Sequence, residues 1–145
     1  MINNIKPELI SNQIGPTPMN ALRYIARMGI VTARDVVGRA PENAAIYDSE
    51  KNTFITIEDS SIAMAFMDRF IDLSELKRFV NSVGIIETRK GIAFAKAELF
   101  LMGLEFDHET EQERELKRAI ADYEAIEETV LEGAISLNTK GKVDV

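Results

Sequence analysis

The only histidine of this 145-residue chain sits among carboxylates, in the run Glu105-Phe-Asp107-His108-Glu109-Thr-Glu111. Oxygen-rich clusters suit hard cations. This run has neither the central glycine nor the alternate ligand positions of an EF-hand loop, and neighbouring residues on a helix point apart. It reads as the acidic start of a helix, where carboxylates complement the N-terminal dipole. His108 has no nucleophile or orienting partner at a recognisable spacing. The chain contains no cysteine, which excludes disulfides, thiolate metal sites and cysteine nucleophiles. It carries no Gly-rich phosphate loop, no G-x-S-x-G and no H-E-x-x-H. A carboxylate pair for acid–base work needs one member buried, and every acid here lies in a pattern that reads as exposed. The expectation is a protein that is not an enzyme, with no catalytic residues, no cofactor and no metal.

Charge is the more informative pattern. The net charge of −7 is unevenly distributed. Residues 1–51 carry six basic against five acidic side chains, and residues 68–96 carry six against four. Residues 97–132 carry twelve acids and only Arg114, Lys117 and Arg118, a local charge of −9. Within that stretch Asp122, Glu124, Glu127, Glu128 and Glu132 follow one another with no base between them. Glu124–Glu128 and Glu128–Glu132 are like-charge pairs four residues apart, each unfavourable by a few tenths of a kcal/mol. If the helix ends near Gly133, these acids also lie at the negative end of its dipole, where cations are preferred. A cationic partner would relieve both, so these five residues are the candidate binding surface for a protein with a basic face. The basic stretch 68–96 of the same chain and a second subunit are alternative sources of that charge.

A second constellation lies near the N-terminus. An apolar segment with Leu22 and Ile25 is followed by Gly29-Ile-Val31-Thr32 and then Asp35-Val36-Val37. This resembles the first two helices of a winged-helix or helix-turn-helix domain, with a hairpin at 46–57 as the wing. The resemblance covers about 40 residues and implies a DNA-binding regulator using Arg23, Arg27, Arg34 and Arg39. The sequence departs from the pattern between the second helix and the wing. Pro41-Glu-Asn-Ala-Ala45 stands where a recognition helix belongs, and it is short and without a basic run. The acidic total also opposes non-specific attraction to nucleic acid or anionic membrane.

The elements that must hold these residues are mostly helical. Composition is ordinary for a globular chain, 46% hydrophobic and 28% charged. Gly15-Pro16-Thr17-Pro18 breaks the chain, and Thr17 is placed to cap a helix that Pro18 opens and Gly29 stops. Thr32 and Asp35 form a box-like start for a short helix that Pro41 ends. Ile46-Tyr47 and Phe54–Ile57 flank the turn-rich Asp48–Asn52 and read as a β-hairpin. Asp59 or Ser60 then starts a helix with Ile62, Ala65, Phe66, Arg69 and Phe70 on one stripe, and Asp72 and Glu75 start the next, closed by Gly84.

Thr88 is placed to cap a fifth helix to Met102, apolar around most of its circumference and therefore expected to be central and buried. Thr110-Glu-Gln-Glu113 is a capping box for a last helix, with Leu116, Ala119, Ile120, Tyr123, Ile126 and Val130 at steps of three and four. That stripe suits packing on its own core, or pairing with a copy of itself. Gly133 closes the helix, leaving 134–145 as a flexible tail.

The fold expected is mainly α, a compact single-domain bundle of five or six helices over 1–133 with one small β-hairpin near 46–57. Its core draws on Leu22, Ile25, Val36, Ile57, Phe66, Phe70, Leu76, Phe79, Val80, Ile92, Leu99, Leu116, Ile120 and Tyr123. No apolar run approaches the roughly 18 residues of a membrane span, and Met1–Glu8 lacks a signal peptide's basic and apolar regions. A cytoplasmic, intracellular protein is expected. Its function reads as non-catalytic macromolecular binding by a small regulator, inhibitor or assembly factor, compatible with a phage (viral) or mobile-element accessory protein, with the acidic helix as the contact. The DNA-binding regulator and an oligomeric subunit of a larger complex are the alternatives.

Overall fold

The computed structural model describes residues 18–61, 64 and 67–144, with side chains over 20–133 within those spans. Among the described residues it is mainly helical, with five α-helices and a small antiparallel sheet. The expected cap at Thr17, the break at Gly15-Pro16 and the stripe residues Ile62, Ala65 and Phe66 lie outside the described residues. The chain divides into two compact units at Lys77/Arg78.

The first unit begins with α1 (Pro18–Met28) and α2 (Ile30–Arg39). Gly29 separates them with φ 91°, a conformation that costs a side-chain-bearing residue free energy. Its N–H closes α1 on the Ile25 carbonyl at 2.8 Å, and its carbonyl accepts the Ala33 N–H at 3.2 Å to open α2. The second helix therefore starts at Ile30, two residues before the Thr32–Asp35 signal.

The sheet follows: β1 (Ala44–Asp48), β2 (Thr53–Thr56) and β3 (Phe70–Asp72), in the order β2-β1-β3. Both pairings are antiparallel, with Tyr47 opposite Phe54 on one side and Ile71 on the other. The expected hairpin is present, but it is two strands of three. Phe70, expected on a helix begun at Asp59 or Ser60, opens β3 instead. The described residues between Ile57 and Arg69 form turns without an α-helix. Ile57, expected in the core, lies just past β2 and is exposed. Asn20 ties α1 to the third strand, donating to the Phe70 carbonyl at 3.1 Å. The core comprises Ala21, Tyr24, Ile25, Ala33, Val36, Ile46, Tyr47, Ile71, Leu73 and Leu76.

The next element is a long helix, α3 (Leu73–Thr88). Asp72 caps its start, accepting the Ser74 N–H at 2.9 Å. The helix passes straight through Gly84, where a Cβ would meet open space, and ends at Thr88. Thr88 does not cap the next helix, because its hydroxyl donates back to the Ile85 carbonyl at 2.7 Å. That role falls to Gly91, with φ 117°, before α4 (Ile92–Glu105). The last helix, α5 (Glu111–Asp144), begins where Thr110 Oγ1 accepts the Glu113 N–H at 3.1 Å, as its capping box requires. It does not close at Gly133 but continues for eleven more residues.

Ile86, Ala95, Leu116, Ala119 and Ile120 form the core of the second unit, with Ile85, Ile92, Leu99, Met102 and Tyr123 packed around it. The first half of the α5 stripe is therefore used on its own unit, whereas Val130 is exposed. Of the other expected core residues, Phe79 is buried and Leu22 and Val80 only half-buried.

Candidate interaction surface

The five acids of α5 fall into three environments. Asp122 is 6% exposed and faces α3, where its carboxylate accepts the Ser82 hydroxyl at 2.7 Å and an Arg78 N–H at 3.3 Å. It joins two helices of the unit and offers no surface. Glu124, one step further round the helix, pairs with Lys96 of α4 at 2.5 Å. Glu127, Glu128 and Glu132 are exposed, and none of the ion pairs among the described residues involves them.

Helical spacing explains this division. Asp122 follows the buried pair Ala119-Ile120 and still faces inward, whereas Glu124, Glu128 and Glu132 lie four residues apart along the outer side. Leu131 is 59% exposed, and helical spacing places it on the same side as Glu124, Glu127 and Glu128. The outer face of α5 thus combines an exposed leucine with carboxylates. Because the helix runs on to Asp144, these acids lie in its interior. The dipole penalty expected from an end at Gly133 is absent, while the repulsion between carboxylates four apart remains.

The start of the same helix behaves differently. Lys117 pairs with Glu109 and, at 3.8 Å, with Glu113, and Arg114 reaches Glu109 at 4.0 Å. The Glu109 carboxylate holds the Lys117 ammonium above its ordinary pKa. His108 is exposed, and among the described residues no group of three or more His, Asp or Glu side chains is arranged to hold a metal ion.

The four arginines of the N-terminal constellation do not form one free face. Arg23 pairs with Asp68 at 3.7 Å, and Arg39 donates to Asp35 at 2.8 Å and to Asn52 at 3.1 Å while covering the Phe54 ring. Arg34 is half-buried and engaged. Arg27 lines a cleft of about 490 Å³ with Tyr24, Tyr47, Asn52, Asp68 and Arg69. The Tyr24 hydroxyl there is pushed up to about 12 by burial and, secondarily, by Tyr47 beside it. From Pro41 to Asn43 the chain makes a turn, with no helix before β1.

The strongest polar centre of the first unit was not legible in advance. Asp48, 3% exposed at the end of β1, accepts Arg69 Nε at 3.1 Å and a second Arg69 N–H at 2.6 Å. It also accepts the backbone N–H groups of Glu50 and Lys51 at 3.1 and 3.2 Å. The Arg69 hydrogen bond is the main reason its carboxyl is held below the ordinary range. Arg69 lies 21 residues away, in a stretch that helical spacing had claimed. The available signal was the apolar pair Phe70-Ile71 between Arg69 and the capping Asp72.

Among the described residues no helix is long and apolar enough to cross a membrane. No family model, no curated protein and no solved structure matches the chain.

Proposed function

We propose that this protein is a non-catalytic interaction protein that binds a protein partner through the outer face of α5. The observation that supports it most is the group Glu127, Glu128 and Glu132, solvent-exposed and outside the ion pairs of the described residues, on the stretch of α5 that also exposes Leu131. An isolated charge run is a solvated surface. A charge run interrupted by an exposed leucine matches the arrangement of an interface, an apolar centre with a charged rim. The partner's complement is an apolar socket flanked by lysines or arginines, and electrostatic steering makes its association salt-dependent.

The test compares the wild-type chain with the triple variant Glu127→Lys/Glu128→Lys/Glu132→Lys as bait in the native host extract, each with and without nuclease treatment. The expected result is a protein captured only by the wild type, released by raised salt, with both baits melting at the same temperature. Equal capture by both overturns the proposal. Capture that disappears with nuclease would favour the DNA-binding reading, for which the engaged Arg23 and Arg39 offer no support.

A further inference from the structure

Helix α4 is apolar on both sides, and only one side is used. Ala95 is buried and Ile92, Leu99 and Met102 pack on the core of the second unit. The opposite side carries Phe94 at 64% exposure, Phe100 at 68%, Leu101 at 58% and Leu104 at 70%. Positions 94, 97, 101 and 104 follow the i, i+3, i+7, i+10 spacing of one helix face, with Ala93 and Phe100 along its edge. All are exposed, and none is charged. Phe106, just past the helix end, is also 49% exposed. The expectation of a central, buried helix is met on one side only.

We propose that this face is a self-association surface on which α4 packs antiparallel against α4 of a second copy. Three observations select a second copy as the occupant. The first is area. With aromatic side chains of about 150–250 Å², these exposures leave about 600 Å² of apolar surface. Two such faces together bury at most about 1,200 Å², which reaches the lower bound of a specific, stable interface. A patch of this size stands at the upper end of what a monomer leaves open, and such patches are often functional. The second is charge. Each copy carries −7, so faces that include the α5 acids repel one another, whereas the α4 face carries charge only at its ends, where opposite signs stand at opposite ends.

The third is the polarity of the rim. Lys90 lies just before α4, and Glu105 and Asp107 lie at its other end; none of the three takes part in an ion pair among the described residues. A two-fold antiparallel pairing places Phe94 opposite Leu104 of the copy and Ala97 opposite Leu101. It also brings each Lys90 to the acidic end of the copy. A two-fold axis makes every such contact occur twice. The small Ala93 and Ala97 let the helices approach closely between the larger side chains. This inference does not depend on the α5 reading, because the two faces share no residue.

The experiment is sedimentation velocity on the full chain from about 1 to about 500 µM. Wild type should shift from monomer to dimer within that range. Leu101→Lys should weaken dimerisation by about a hundredfold, with the circular dichroism spectrum of the monomer unchanged, since the side chain it replaces faces solvent. Leu104→Lys serves as the second apolar variant. Lys90→Glu should weaken dimerisation by about fivefold, and adding Glu105→Lys and Asp107→Lys to it should restore the wild-type constant. A chain monomeric throughout, a dimer indifferent to both Leu101→Lys and Leu104→Lys, or a charge swap that fails to restore association would each overturn the proposed pairing.

Discussion

Each unit buries one aspartate against an arginine, and the two are built differently. Asp48 has four donors: two N–H groups of one guanidinium and two backbone N–H groups of its own turn. Its partner Arg69 is itself fixed, stacked on Phe70 at 4.9 Å, while its carbonyl accepts Ser49 N–H and Oγ, both at 2.8 Å. Asp122 has a hydroxyl at 2.7 Å and a more distant guanidinium contact at 3.3 Å. A carboxylate taken from water must regain its hydration as hydrogen bonds. Asp48 regains it largely from charge and backbone, Asp122 largely from a neutral side chain. The first site closes a turn and joins two strands that are distant in sequence. The second aligns two helices already packed through apolar contacts. The difference teaches where each unit depends on polar contacts: the small sheet depends on its ion pair, and the helical unit on its core.

Substitutions at the two aspartates test that contrast most directly. Asp48→Ala removes the main partner of a mostly enclosed guanidinium, which retains only Glu50 at 3.5 Å, together with the acceptor of two turn N–H groups, and should cost about 3 kcal/mol. Amide hydrogen exchange, which reports local and sub-global opening separately, should show the loss in β1–β3. Asp122→Ala should cost less, about 2 kcal/mol, with the loss in α3 and α5. Equal losses, or a greater one at Asp122, would break the comparison.

The pH dependence of the first site has a defined sign. The Asp48 carboxyl is held below the ordinary range by Arg69. The unfolded chain therefore takes up a proton first as pH falls, and stability rises with pH through that interval. The contribution is fully present above the unfolded value of about 3.9 and is lost as pH falls through the lower folded value. Acid titration should open the β1–β3 amides, and in Asp48→Asn this part of the pH slope should vanish. An unchanged slope would mean that another carboxylate controls acid unfolding of the sheet. A smaller effect belongs to the Thr110 cap. Thr110→Ala leaves the Glu113 N–H without its side-chain acceptor and should cost about 1 kcal/mol, confined to the first turn of α5.

What the sequence disclosed follows the same physics. Signals made by consecutive residues were legible: the hairpin around Asp48–Asn52, the Asp72 start and the Thr110–Glu113 box. Pairings across long separations were not. The β3 strand has three residues, too few to show alternation, and a helical spacing that included Arg69 and Phe70 concealed it. Glycine misled where its role was inert. Gly29 and Gly91 have φ of 91° and 117° and mark real helix boundaries, whereas Gly84 and Gly133 lie inside helices. A helix-interior glycine costs only about 1 kcal/mol, so a residue name alone cannot distinguish the two uses. At α4, composition showed an all-round apolar helix but not how many neighbours it has. At the candidate surface, the acidic run was legible as charge, but the separation of Asp122 and Glu124 from the exposed three depends on tertiary partners.

Glu128 gives the smallest expected effect on stability and the sharpest separation of fold from function. It has Glu124 four residues before it and Glu132 four residues after. Glu128→Lys converts two like-charge pairs into two opposite-charge pairs and should stabilise the chain by about 0.5–1 kcal/mol. The helix is continuous through this position, so no dipole effect opposes the gain. Urea denaturation of the variant measures it. Natural chains are rarely at their stability optimum, so the gain alone assigns no role and the capture assay decides. If Glu128→Lys is more stable and fails to capture the partner, the carboxylate is a contact group. If it is more stable and captures equally well, the acidic face of α5 contributes charge without recognition, and the proposed docking on it fails.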